Sequence, residues 1–205
     1  SDQPRGLMAE LRGGWEEVHR KPVVRNVLLL LTLGYFAMFF YDTLFAPLMR
    51  DLGQSATALG LAIGAVGAGG VIGAVVLGRR TSLSHPFVWI AGGAALSAGM
   101  VAMLGLSALL GIFPDFGLIF VLFGVVGFAT SCTFIPTRSL LQIHVAPDRM
   151  GRVTALSEAA NALAILTAPF LGATLATHWG PGAAFVAGAG VLLITSAAAL
   201  AAARV

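Results

Sequence analysis

Six apolar segments, each close to the 17–25 residues that a helix needs to cross roughly 30 Å of hydrocarbon, restrict this chain more than any other feature. They lie near residues 26–49, 57–78, 87–109, 115–137, 152–175 and 182–203. Inside a bilayer every backbone N–H and C=O must find its partner within the chain, so the expected fold class is an all-α membrane protein of six transmembrane helices. Composition agrees: 10% of the 205 residues are charged, against roughly 25% in a soluble domain, and the mean hydropathy is +0.90. The first segment is longer than a signal-peptide core, and no A-x-A-like site follows it, so it counts as a span.

The polar interruptions set the orientation. The longest, Ile135 to Val153, carries Arg138, Arg149 and Arg152 between two apolar segments and reads as a cytoplasmic loop. With alternating spans, Arg5, Arg12, Arg20, Lys21, Arg25, Arg79, Arg80, Arg138, Arg149, Arg152 and Arg204 fall on that side, and Arg50 alone falls on the other. Eleven basic residues against one predict an even number of spans with both termini cytoplasmic. The net charge of +3 therefore reflects topology, and no nucleic-acid partner is expected, because the basic residues form no single patch.

Residues 1–25 are expected to be a cytoplasmic linker. The opening S-D-Q-P-R-G is hydrophilic, no Met precedes it, and it reads as the cut edge of a longer sequence. Leu7, Leu11, Trp15 and Val18 follow helical spacing, which suits an amphipathic helix on the membrane surface; a soluble helix packed on a neighbouring domain would carry the same pattern. Lys21-Pro22 ends it. The single cysteine, Cys132, lies in an apolar run and allows no intrachain disulfide. Neither a metal-ligand cluster nor a phosphate-binding glycine loop is present in the sequence, so no cofactor is expected.

Two acidic residues fall well inside the spans, Asp42 and Glu158. An ionisable group in hydrocarbon costs at least about 2.5–3.5 kcal/mol, so each needs a cavity or a partner. Asp42 reads either as a proton-coupling or cation-binding carboxylate or as an outer-vestibule group capped by Tyr41 or Thr43. Glu158 suits a cytoplasmic gate closed by Arg138, Arg79 or Arg80, about 9 Å along its helix from Arg152; snorkelling to the interface is the other reading. Asn161 and the Thr130-Ser131-Cys132-Thr133 run either line a polar path or bond to the backbone. Tyr35, Phe36, Phe39, Phe40 and Tyr41 suit stacking on an amphipathic substrate as well as packing. The second span contains two G-x-x-x-G pairs, Gly60/Gly64 and Gly69/Gly73, which fit either a rocking helix or static close packing.

Four stretches resemble the C-terminal half of a major facilitator superfamily transporter, near the bacterial drug, macrolide and enterobactin exporters. G-W-E-E-V-H-R-K-P-V-V-R-N-V resembles the family's cytoplasmic approach to its seventh span, and D-L-G-Q-S-A-T-A-L-G-L-A-I-G its loop into the eighth. Q-I-H-V-A-P-D-R-M-G-R-V resembles the loop between spans ten and eleven, and A-P-F-L-G-A with W-G-P-G-A-A-F resembles the region of spans eleven and twelve. The family often carries G-x-x-x-D-(R/K)-x-G-(R/K)-(R/K) after the second span of each half; here Leu77-Gly78-Arg79-Arg80 follows Gly73-Ala-Val-Val without the Asp.

The resemblance implies one half of a twelve-span bundle, built from three-span inverted repeats, in a bacterial inner membrane, with substrate bound between the halves. It implies export of amphipathic small molecules of the drug or siderophore class by proton antiport. The partners would be lipid, substrate, protons and an N-terminal six-helix half. Tyr35, Tyr41, Asp42, Ser131, Thr133 and Asn161 are the expected pathway residues; Arg79, Arg80, Arg138, Arg152 and Glu158 are the expected gate. The alternative is a six-span assembly protein or homodimer that transports nothing. An intramembrane serine protease does not fit, because His19, His85, His144 and His178 all lie outside or at the edges of the spans and none can activate Ser107.

Overall fold

A computed structural model describes residues 18–79 and 85–204, which are helical apart from short connections. The helices are α1 (Pro22–Asp42), α2 (Phe45–Asp51), α3 (Ala56–Gly78), α4 (Pro86–Leu109), α5 (Phe116–His144), α6 (Pro147–Trp179) and α7 (Pro181–Ala202). All but the short α2 are long and apolar enough to cross a membrane.

Each spanning helix begins on a local signal. Pro22, Pro86, Pro147 and Pro181 occupy the first turn of α1, α4, α6 and α7, where the missing N–H costs nothing. The other two starts are capped by side chains: Ser55 Oγ accepts from the Ala58 N–H at 3.1 Å, and Asp115 Oδ1 from the Leu118 N–H at 2.9 Å.

Two stretches differ from the sequence expectation. The first span, expected near 26–49, ends at Asp42 and resumes as α2 after Thr43 and Leu44. Pro47 explains the break, since its ring would strike the carbonyl of residue 43 in a continuous helix. The arginine-bearing stretch, expected to be a loop, is almost wholly helical. α5 runs through Pro136 to His144, α6 starts at Pro147, and Val145 and Ala146 alone connect them. At 29 and 33 residues these helices are about 44 and 50 Å long, longer than the hydrocarbon is thick. Polar residues there mark the exit from lipid, and Arg, Leu, Gln and Met favour helix on both sides of that boundary. The amphipathic pattern from Leu7 to Trp15 and the gate candidate Arg80 lie outside the described residues; Val18 is described, helical and buried.

The apolar core divides into two clusters. One joins the beginnings of α1, α4 and α6 to the ends of α5 and α7, through Val24, Val27, Ile90, Leu140, Val153 and Ala199. The other joins the end of α1, the beginning of α3, the end of α4 and the beginnings of α5 and α7, through Phe40, Ala62, Leu104, Phe123 and Phe185. Successive spans therefore alternate in direction, and the start of α1 and the end of α7 share one end of the bundle. Among the described basic residues, Arg20, Lys21, Arg25, Arg79, Arg138, Arg149, Arg152 and Arg204 cluster toward that end and Arg50 toward the opposite one.

The packing has an internal exchange symmetry. α1 packs on α6 as α5 packs on α3, and α1 on α7 as α5 on α4; α4·α7 and α1·α5 map onto themselves. Exchanging the first three spans with the last three reproduces these contacts. Because each trio has an odd number of spans, the two trios are inverted. Among the described residues, the α6·α7 contact has no equally extensive counterpart. Glycine permits the closest approaches: a Cβ at Gly172 would collide with the Phe40 carbonyl of α1, and one at Gly127 with the Val66 carbonyl of α3.

Candidate functional site

A cavity of about 210 Å³ opens between α1, α5 and α6 toward the basic end. Leu31 of α1, Arg138, Leu141 and Gln142 of α5, and Met150, Thr154, Ser157, Glu158 and Asn161 of α6 line it. Thr154, Ser157, Glu158 and Asn161 stand at i, i+3, i+4 and i+7, a polar stripe along one face of α6. Sequence reasoning took Glu158 and Asn161 singly and missed Thr154 and Ser157, although that spacing was the available signal.

Asn161 and Ser157 are each 2% exposed. The Thr32 hydroxyl of α1 donates to Asn161 Oδ1 at 3.4 Å. The Asn161 amide nitrogen and the Ser157 hydroxyl have no hydrogen-bond partner among the described residues. A buried polar group left unsatisfied costs about 1–3 kcal/mol, so these two groups favour water or a polar ligand atom in the cavity.

Arg138 is exposed at the cavity and donates through Nη2 to the Tyr35 hydroxyl at 2.5 Å, which joins α5 to α1. Tyr35 packs edge-on against Phe134 with centroids 5.0 Å apart and stacks on Phe39 at 6.4 Å. The cavity thus combines a guanidinium, a carboxylate, amides and hydroxyls, and Arg138 links it to Tyr35 and the rings that Tyr35 packs on. Such a set can hold an amphipathic molecule by its polar end.

The expected gate is only partly assembled. Arg138 and Glu158 share the cavity, yet no ion pair within 4 Å joins Glu158 to any described residue. Arg79 caps the end of α3, and neither it nor Arg152 lines the cavity. Of the expected pathway residues, Asn161 lines the cavity, Tyr35 is joined to it through Arg138, and the other four lie elsewhere. Tyr41 is buried in the far cluster against Phe45 and Phe185, with its ring filling the space beside Gly188. Ser131 donates to the Gly70 carbonyl at 2.9 Å and ties α5 to α3; Thr133 donates to the Ala129 carbonyl of its own helix at 3.1 Å. Both hydroxyls serve backbone groups. Asp42 is half-buried at the last residue of α1, toward the end opposite the cavity.

The family profile described as Major Facilitator Superfamily matches residues 5–205. The chain belongs to the major facilitator superfamily. Neither a curated protein nor a solved structure matches it. As a major facilitator chain it is a multi-pass membrane transporter domain, and the six spans and their exchange symmetry agree with half of such a bundle. In this major facilitator bundle α3 and α6 are half as buried (22%) as the other four spans (44%).

Proposed function

We propose that this chain is one half of a secondary transporter that exports amphipathic small molecules across a bacterial inner membrane by alternating access, driven by proton antiport. The observation that carries the reading is the cavity on the α6 polar stripe, where the buried Asn161 amide and Ser157 hydroxyl lack partners beside Arg138, Glu158 and the Tyr35–Phe39–Phe134 aromatics. Polar groups in the cavity beside Leu31, Leu141 and Met150 match a substrate with one polar and one apolar end. The basic end of the bundle faces the cytoplasm in this reading, by the positive-inside rule. A second six-helix bundle covers α3 and α6, the least buried spans.

Glu158 and Arg138 act as the cytoplasmic gate, Arg138 exchanging the Tyr35 hydroxyl for the Glu158 carboxylate when the cavity closes. Asp42, toward the opposite side, is the proton-coupling group. It has no ion-pair partner among the described residues, so it is held there by protonation or by water. In everted vesicles loaded by a pH gradient and supplied with fluorescent amphipathic compounds, Asp42→Asn should abolish gradient-driven accumulation while leaving gradient-free substrate exchange near the wild-type rate. The amide mimics the protonated acid. A mutant that still accumulates substrate uphill at the wild-type rate would remove Asp42 from coupling.

A further inference from the structure

Among the residues that line the α6 cavity, the charged ones are Arg138 and Glu158, and they come from different walls. Arg138 leaves α5 and donates through Nη2 to the Tyr35 hydroxyl of α1, whereas Glu158 leaves α6. No nitrogen of Arg138 comes within 4 Å of a Glu158 carboxylate oxygen. Unlike charges that share a cavity of about 210 Å³ without touching leave space between them, and each can take a counter-charge of its own.

The chemistry of the two groups says which counter-charge. Tyr35 occupies one nitrogen of the guanidinium, and the rest of its planar fork fits a carboxylate edge-on. The ionised Glu158 carboxylate only accepts, so its match is an ammonium. Ser157 and Asn161, buried on the same face of α6, offer neutral hydrogen bonds beside the charges, and Leu31, Leu141 and Met150 offer apolar contact. When the cavity closes on a ligand, a cation would leave Arg138 without a counter-charge and an anion would leave Glu158 without one. A neutral molecule lying between them would leave both, and a charge enclosed without its partner is strongly destabilising.

We propose that the ligand of this cavity is an amphipathic zwitterion, its carboxylate on Arg138, its ammonium on Glu158 and its apolar part against Leu31, Leu141 and Met150. This substrate class rests on the export reading given above. With substrate present, its two charges complete the link between α5 and α6 that the Arg138–Glu158 pair makes when the cavity closes empty.

Four compounds that share an octyl chain separate the classes: N-octylglycine is the zwitterion, octylammonium the cation, octanoate the anion and octyl glycerol ether the neutral form. The full chain carries Thr154→Cys in the cavity wall and Cys132→Ala, and is held in a maltoside detergent, which has no charge of its own; a water-soluble maleimide labels the cavity thiol. N-octylglycine should slow labelling at concentrations about five- to tenfold below those of octylammonium or octanoate, the factor that one charged contact contributes at a partly exposed site. The neutral ether should need more still. Arg138→Gln should bring N-octylglycine level with octylammonium, and Glu158→Gln should bring it level with octanoate. Each ratio is read within one variant, so a change in its overall labelling rate does not enter. Protection by any of the other three at the concentration of N-octylglycine, or a preference for N-octylglycine that survives both substitutions, would overturn the zwitterion and leave an amphipathic site. Protection by none of the four would overturn the proposal together with the cavity as the substrate site.

Discussion

Arg138 has one hydrogen-bond partner among the described residues and shares its cavity with an acid. Its guanidinium holds the Tyr35 hydroxyl at 2.5 Å, while Glu158 stands in the same cavity without an ion pair to any described residue. Because Glu158 is exposed and has no ion pair with a described residue, Glu158→Gln should change thermal stability by less than about 0.5 kcal/mol. If the carboxylate closes the gate, the same substitution should raise the labelling rate of a cysteine placed at Thr154 in the cavity wall. Unchanged labelling would leave Glu158 an ordinary interfacial residue. Tyr35→Phe tests the other partner: the ring packing on Phe134 and Phe39 survives, and the hydrogen bond is lost. It should leave insertion intact and speed labelling of a cysteine at Gln142, because the freed arginine no longer ties α5 to α1. Both acidic residues were visible in the sequence, where charge in an apolar run stands out. Ser157 and Thr32 were not, since a lone hydroxyl in a membrane helix usually bonds its own backbone, as Thr130, Thr133 and Thr137 do here.

On α3 two similar glycine pairs meet different surroundings. A Cβ at Gly69 would collide with the Gly124 carbonyl of α5, and one at Gly73 would crowd Ser131, whereas Gly60, Gly64 and Gly67 face open space. Gly69/Gly73 packs closely within this bundle, and Gly60/Gly64 is available to another surface. Gly69→Val should destabilise the detergent-solubilised protein by about 1–3 kcal/mol, the usual cost of overpacking. Gly67→Val, two residues away, should cost less than about 1 kcal/mol, and a thermal melt of the two variants side by side checks the difference. Equal losses would mean that both faces are packed. The spacing alone could not separate the two pairs, because G-x-x-x-G records that a helix can be approached closely and not from which side.

At the scale of the whole bundle, the two core clusters and the clustering of basic residues toward one end make topology the testable property. A reporter fused after Val205 should behave as cytoplasmic, and one inserted beside Asp115 as external. The reverse result would invert the bundle and with it the assignment of the cavity to the cytoplasmic side. The exchange of α1·α6 with α3·α5 relates the two trios of spans as inverted repeats, the arrangement from which transporter halves are built.

What the amino-acid sequence determined by itself is the number of spans, their approximate places and the gathering of basic residues at one end, because hydrocarbon imposes length, apolarity and intrachain hydrogen bonding on each segment separately. Proline and capping residues mark the helix starts locally, yet the start expected near residue 152 lies at Pro147. The reach of α5 and α6 beyond the bilayer escaped it, since leaving lipid changes composition without ending a helix. The inverted exchange of spans, the meeting of Arg138 with Tyr35 across 103 positions and of Thr32 with Asn161 across 129, and the opposite fates of the two glycine pairs were decided by tertiary packing. These contacts join residues from different spans, and hydropathy, which describes each span against lipid, carries no term for how one span meets another.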